Sequence, residues 1–404
     1  MTDQFVNGNT VKQANRSFIL KDIRQSGPIT KIDLARKFDL TFSAVGNIIT
    51  EFSEAGLIKE AGYGESSGGR PPVLYEMKWD SVYVIALVIG VREISACLVN
   101  LKGEVSDEII AEEDSKPLIE RVYNLIDQLL ERIAIDISKI SGIGVSAPGP
   151  IDTTDGKMLT PPNLEGVRNI SFQRLLEDRY KWPTILEKDA NAFALAEQWF
   201  GDVEPNEDIL YIYNDQGLGG GLIIDSRIHR GIGNGAGEIG HMVIDIDGPK
   251  CNCGNFGCLE TLSSGIAIQR RVKEEIRRGY PTSLADDYLN NGKEPTIENI
   301  VQQAEEGDKL ALEVLHEAER YLGLGLANAI NLFAPDQVIF GGMVAKLYPK
   351  MINTAEKIAK ERALSPYARN IIFAESAFNH QSNSIGAASV IHQKLFDYPE
   401  GTII

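Results

Sequence analysis

The segment GHMVIDIDGPKCNCGNFGCLE, residues 240–260, decides how this 404-residue chain is read. It holds one imidazole, His241, and three of the chain's four cysteines, Cys251, Cys253 and Cys258. One nitrogen and three soft thiolates make the donor set of a closed tetrahedral zinc site, and Gly254 and Gly257 let the backbone turn tightly around an ion. One structural Zn2+ per chain, held by His241, Cys251, Cys253 and Cys258, is therefore expected. A secreted disulfide framework is not, because Cys97 is the only other cysteine.

Outward from this segment, the apolar pattern predicts two α/β halves with a cleft between them. The first half reads as strands at 82–89, 94–99 and 104–111, a helix over 118–135 and a buried strand at 140–145. The second reads as strands at 209–213 and 221–224, a helix over 309–332, a strand at 337–340, a helix over 344–362, a strand at 370–374 and a closing helix over 384–395. Clefts between such halves favour small ligands.

Residues 1–80 follow a different plan. A helix over 11–24 stops at Gly27-Pro28, Thr30 caps a second through Phe38, and a third runs from about Thr41 to Ala55. Its spacing sets Phe42, Val45, Ile48, Ile49 and Phe52 on the inner face and Ser43, Ala44, Asn47 and Thr50 on the outer. The short link Asp39-Leu40-Thr41 is that of a helix-turn-helix. Strands 57–61 and 73–76, joined by a loop with Ser67-Gly68-Gly69-Arg70-Pro71-Pro72, form a wing whose Arg70 suits a narrow A·T minor groove. The third helix offers no Lys or Arg for guanine. Lys31, Ser43, Ala44, Asn47, Thr50 and Arg70 are the expected DNA-contacting residues, with Lys12, Arg16 and Arg36 adding phosphate contacts.

The charge agrees with two regions. The formal net charge is −17, yet residues 1–80 hold ten basic and ten acidic side chains, so all of the excess lies in the remainder. No apolar run approaches the ~20 residues of a membrane span, and the first residues lack the pattern of a signal peptide. A cytoplasmic protein is expected. Two-fold symmetric half-sites further imply a homodimer, or a tetramer, on a palindromic A·T-rich operator.

Residues 82–396 resemble the ROK family of sugar kinases and sugar-responsive repressors. The likeness rests on Ala236-Gly-Glu-Ile-Gly-His241 followed by Cys251-Asn-Cys-Gly-Asn-Phe-Gly-Cys258-Leu-Glu260. With the winged helix in front, the chain resembles the repressor branch, xylose repressors included. The resemblance implies an α/β chain in which a winged helix-turn-helix (1–80) precedes an actin-like ATPase fold of two ribonuclease-H-like lobes. The first lobe would cover 81–200, completed by a helix from about 380 to 404, and the second 201–379 with the zinc motif.

It also implies a sugar pocket. Ser146-Ala-Pro-Gly-Pro150 and Pro162-Asn163-Leu164 resemble its two loops, and Glu187-Lys188-Asp189-Ala190-Asn191 the motif whose Asp is the kinase base. Asn163, Lys188, Asp189, Glu238, His241 and Glu260 are the implied sugar contacts, and a carboxylate-rich cleft suits vicinal hydroxyls. Val88, however, replaces the Asp of the first phosphate motif, and Asp215-Gln216-Gly217 replaces Gly-Thr-Gly in the second. Both changes oppose triphosphate, which leaves Asp189 a vestigial base. Gly341-Gly342 still resembles the adenosine-side turn, and Lys188 stands where relatives have an Asn.

The expected function is a sugar-responsive transcription regulator, a repressor of carbohydrate-utilisation genes released by a monosaccharide, with xylose or glucose the leading effectors. The alternative is an ATP-dependent sugar kinase carrying an appended DNA-binding domain.

Overall fold

The structure, a computed structural model, describes residues 8–65, 70–90, 93–112, 115–161, 164, 166–204, 206–364, 366–378 and 382–397. Asn163 and the wing tip at 66–69 lie outside the described residues. Helices Gly8–Ser26, Lys31–Lys37 and Phe42–Glu54 open the chain. The Thr30 hydroxyl caps the second by accepting from Asp33 N, and that of Thr41 caps the third by accepting from Ala44 N. Gly56, at φ +70°, ends the third. Strands Ile58–Tyr63 and Val73–Met77 form the wing, and a short strand that periodicity did not reveal, Ile29–Thr30, pairs antiparallel with Leu74 and Tyr75.

Two five-stranded sheets of the same plan follow. In the first, Tyr83–Ile89, Glu93–Asn100 and Val105–Glu112 run antiparallel, and Ile140–Ala147 and Thr184–Lys188 extend the other side in parallel. In the second, Ile209–Asn214, Leu218–Ile224 and Arg227–Ile228 run antiparallel, and Gln337–Gly341 and Ile372–Glu375 lie parallel beyond the first of them. The repetition is that of the actin-like ATPase fold.

Strand alternation decides which face meets which core. From Tyr83–Ile89, residues Ile85, Leu87 and Ile89 join the core under helix Leu118–Arg132, whereas Val84, Ala86 and Val88 face the other way. From Ile209–Asn214, Leu210 and Ile212 join the outer core of the second sheet. Ile209 and Tyr211 face back toward Val84 and Ala86, and helices Asp189–Phe200 and Ser382–Asp397 supply Phe193, Ala194, Leu195, Ala387, Val390 and Ile391 to the core between the sheets.

Three expectations need correction. Phe42, assigned inward, is 60% exposed, because the first residue of a helix precedes the turn that packs. Ala44, assigned outward, is half-buried. The helix expected over 344–362 is two, Met343–Leu347 and Lys350–Arg362, because Pro349 cannot donate to the helical ladder.

Candidate functional site

On the winged helix, Ser43, Asn47, Thr50 and Arg70 are exposed. Thr50 donates its hydroxyl to Gly46 O at 3.0 Å, so toward a base edge it can only accept. Lys31 is half-buried, its ammonium 5.2 Å from the Tyr75 ring centroid. Arg16, expected on phosphate, is buried and paired with Glu51. A carboxylate on the neighbouring helix claims it first.

The segment 240–260 folds as a tight knuckle. His241 ends a short turn Ile239–His241, and bridges between Val243 and Cys258 and between Lys250 and Phe256 close the loop. Gly257 has φ +63°, and a Cβ there would lie 1.5 Å from the Asp245 carbonyl oxygen, so no other residue fits. Cys251 Sγ lies 3.7 Å from His241 Nδ1, and Cys253 Sγ 3.7 Å from Cys258 Sγ. All four donor atoms fall within 4.8 Å of one another. A tetrahedron of radius about 2.3 Å has edges of about 3.8 Å, so the donor set fits a structural zinc. Burial and the neighbouring sulfurs push Cys258 up to about 12, a direction that a divalent cation reverses. With Nδ1 turned to the sulfurs, His241 keeps Nε2 for another partner.

The knuckle borders the cleft. Lys188 and Asp189 stand where strand Thr184–Lys188 passes into helix Asp189–Phe200. Lys188 Nζ lies 3.1 Å from Glu238 Oε1 and donates to Ala236 O at 3.1 Å. Glu260, the first residue of helix Glu260–Ser263, accepts from Leu218 N at 3.0 Å. Burial raises the Asp189 carboxyl to about 6, against the hydrogen bond from Ala190 N and the charge of Lys188, with Glu238 and Asp215 pushing it further up. Lys188, Asp189, Glu238, His241 and Glu260 are thus brought to one region, while Asn163 lies outside the described residues.

Sequence reasoning missed Arg230. Its Nε and Nη2 donate to Glu187 Oε2 at 2.9 and 2.6 Å, while Asn191 Nδ2 donates to Glu187 Oε1 at 2.9 Å. Glu187 is fully buried. A carboxylate at the end of an apolar strand signalled the need for a cation, but the partner is distant in sequence.

An opening of about 390 Å³ lies where the phosphate and adenosine motifs of kinases are expected. Val88, Gly90, Asp215, Gly341 and Gly342 line it, together with Glu93, Glu108 and Glu375, and among the described residues Lys346 is its basic residue. Tyr213 donates to Asp215 at 2.9 Å. Asp215 and Gly217 close the hairpin between strands Ile209–Asn214 and Leu218–Ile224.

The ROK family profile matches residues 84–394. A xylose repressor of Caldicellulosiruptor bescii is 30% identical over 98% of this chain and 99% of its own. The DNA-binding transcriptional dual regulator NagC of Escherichia coli K12 is 30% identical over 98% of this chain and 96% of its own. A ROK family transcriptional regulator, homologous to the E. coli MLC protein, superposes with a TM-score of 0.83 at 30% identity, covering 96% of this chain and 97% of that one. A ROK glucokinase of Streptomyces griseus, in complex with glucose and AMPPNP, superposes at 0.67 and 26% identity over 77% of this chain and 99% of its own. The repressor relatives span the winged helix as well as the two-sheet region.

Proposed function

Because this chain belongs to the ROK family, we propose that it is a sugar-responsive DNA-binding transcription regulator, a repressor of carbohydrate-utilisation genes released by a monosaccharide. The observation that carries the reading is the union of a winged helix with the two-sheet domain along a length shared with the xylose repressor and NagC. In this reading the DNA-binding domain covers 1–80, one lobe 81–200 with the last helix, and the other 201–379. Asn163, Lys188, Asp189, Glu238, His241 and Glu260 hold the sugar, with xylose or glucose the leading candidates. A zinc on His241, Cys251, Cys253 and Cys258 fixes Glu238 and Glu260 and leaves His241 Nε2 for a hydroxyl.

The protein works as a cytoplasmic homodimer or tetramer on an A·T-rich palindrome contacted by Lys31, Ser43, Ala44, Asn47, Thr50 and Arg70. It is not an enzyme, because carboxylates of Glu93, Glu108, Asp215 and Glu375 line the opening where phosphates would sit. Gel-shift titration with a duplex selected from a random library, repeated with D-xylose, D-glucose and N-acetyl-D-glucosamine, tests the reading. Release of DNA by one sugar is expected, without ADP formation from ATP. Sugar-dependent ADP release abolished by Asp189→Asn would restore the kinase alternative.

A further inference from the structure

A half-buried cation, Arg24, is one of the contacts that join the winged helix to helix Asp189–Phe200. Arg24, in the last turn of helix Gly8–Ser26, lies 4.7 Å from the Trp199 ring centroid, 4.8 Å from that of Phe200 and 6.0 Å from that of Phe396. Its Nη2 also donates to the Trp199 carbonyl. Burial lowers its guanidinium only to about 10, so it stays charged at neutral pH.

The surroundings make this contact directional. Trp199 and Phe200 end helix Asp189–Phe200, whose last carbonyls have no partner within the helix. Arg24 therefore caps, from another region of the chain, the negative end of a helix whose positive end carries Asp189. Trp199 meets Phe396 edge to face at 4.9 Å, and Phe200 meets His392 at 5.9 Å. His392 is buried, and neither ring nitrogen has a hydrogen-bond partner among the described residues. Burial, then the charge of Arg24, holds it neutral, down at about 3. Lys21 pairs with Asp397 beside it.

The helix between the two ends has little freedom to bend. Its residues from Ala190 to Glu197 are all buried. The last helix approaches so closely that a Cβ on Gly386 would stand 2.8 Å from Ala192 C and O. Twelve residues at ~1.5 Å each separate its two ends by roughly 17 Å, and a packed helix of that length moves as one piece.

We propose that Arg24 is the positioning residue through which occupancy of the cleft reaches the DNA-binding helices. This rests on the cleft being the sugar site: a ligand that engages Asp189 displaces helix Asp189–Phe200, its Trp199–Phe200 seat shifts, and helix Gly8–Ser26 follows through Arg24. The ligand acts only by binding the two arrangements unequally.

The test separates this contact from the reading beneath it. D-xylose, D-glucose and N-acetyl-D-glucosamine are titrated calorimetrically into the full-length protein, with and without the selected duplex. The wild type is expected to show a coupling factor within the usual range of about 5- to 150-fold. Arg24→Ala and Trp199→Ala should each keep sugar affinity without DNA, and DNA affinity without sugar, while the coupling factor falls below about twofold. Trp199→Phe keeps a ring and should keep the coupling. Arg24→Lys, which retains charge but not the planar stack, serves if Arg24→Ala does not fold. Undiminished coupling in these Arg24 and Trp199→Ala variants overturns the proposal. If none of the three sugars binds the wild type, the sugar reading fails, and a double-mutant cycle decides the contact alone. Asp189→Asn combined with Arg24→Ala should then depart from additivity in DNA affinity by more than about threefold, whereas additive effects overturn it.

Discussion

Lys188 and Glu238 bridge the first sheet's last strand and the segment that leads into the cysteine knuckle, with Nζ 3.1 Å from Oε1. The lysine side chain is 8% exposed and the glutamate 44%, so the buried partner dominates the energetics. Lys188 takes a place where an amide serves hydroxyls in the resemblance that the sequence carries. In the proposed pocket a sugar would bind beside this pair or replace part of it. Lys188→Asn is expected to weaken the native effector about tenfold, or 1.4 kcal/mol, and to change the order of preference across a sugar panel. The melting temperature should move by no more than about 4 °C, since Glu238 is left facing water. An unchanged preference order would show that Lys188 does not touch the ligand.

The Asp189 carboxyl has its own pH signature. Raised from 3.8 to about 6, it holds a proton more tightly in the folded than in the unfolded chain. Its contribution to stability is therefore complete below about pH 4 and is lost as pH rises through 6. Binding has the opposite sign, because a carboxylate accepts two hydroxyl hydrogens where the acid accepts fewer. Sugar affinity should fall as pH drops below about 6, and Asp189→Asn should flatten that limb while raising the melting temperature at pH 7. Calorimetry and thermal melts across pH 5 to 8 check both signs. Burial also raises the Glu197 carboxyl, at the far end of the same helix, to about 7, so the limb that Asp189→Asn removes is the one to assign.

For DNA, Arg70→Ala should weaken binding to all sequences and lower the salt slope by about 1, whereas Asn47→Ala should cost ~1–3 kcal/mol at one base pair only. Phe42, exposed in the first turn of the third helix, suits a thymine methyl. Phe42→Ala should lose affinity for a thymine-containing site but not for the same site with deoxyuridine. Equal losses on both duplexes would remove Phe42 from the base-reading set.

For the knuckle, elemental analysis is expected to give one zinc per chain. Cys258→Ser, at a buried ligand position, should lower both melting temperature and sugar affinity, and a chelator should reproduce the loss in the wild type. Metal-free protein of undiminished stability would refute the site.

How much of this was legible follows from how local each cause is. Most strands of the two sheets were visible because nearly every residue in stretches such as Tyr83–Ile89 and Ile209–Asn214 is apolar, whereas the two-residue strand Arg227–Ile228 carries no such pattern; the third helix was visible because Val45, Ile48, Ile49 and Phe52 recur at helical spacing. The knuckle was visible because its ligands lie within a short segment. Lys188, Asp189, Glu238 and Glu260 could be proposed only through resemblance, since nothing in spacing brings residues so far apart together. Arg230, Arg24 and the engagement of Arg16 by Glu51 were hidden for the same reason: a charged side chain chooses its partner after the chain has folded. Phe42 misled because helical spacing describes a face and is silent about which turn lies beyond the packed surface.

The winged helix does not own its whole core. Ile19, Leu20, Ile23 and Phe52 pack in one cluster with Leu101, Leu395 and Phe396, which belong to the first sheet's turn and the last helix. During synthesis the ribosome releases the DNA-reading helices hundreds of residues before Leu395 and Phe396 leave the exit tunnel. What is made first is finished last. Nascent or prematurely terminated chains that lack the last helix therefore lack Leu395 and Phe396, two side chains of the cluster on which the DNA-reading helices pack.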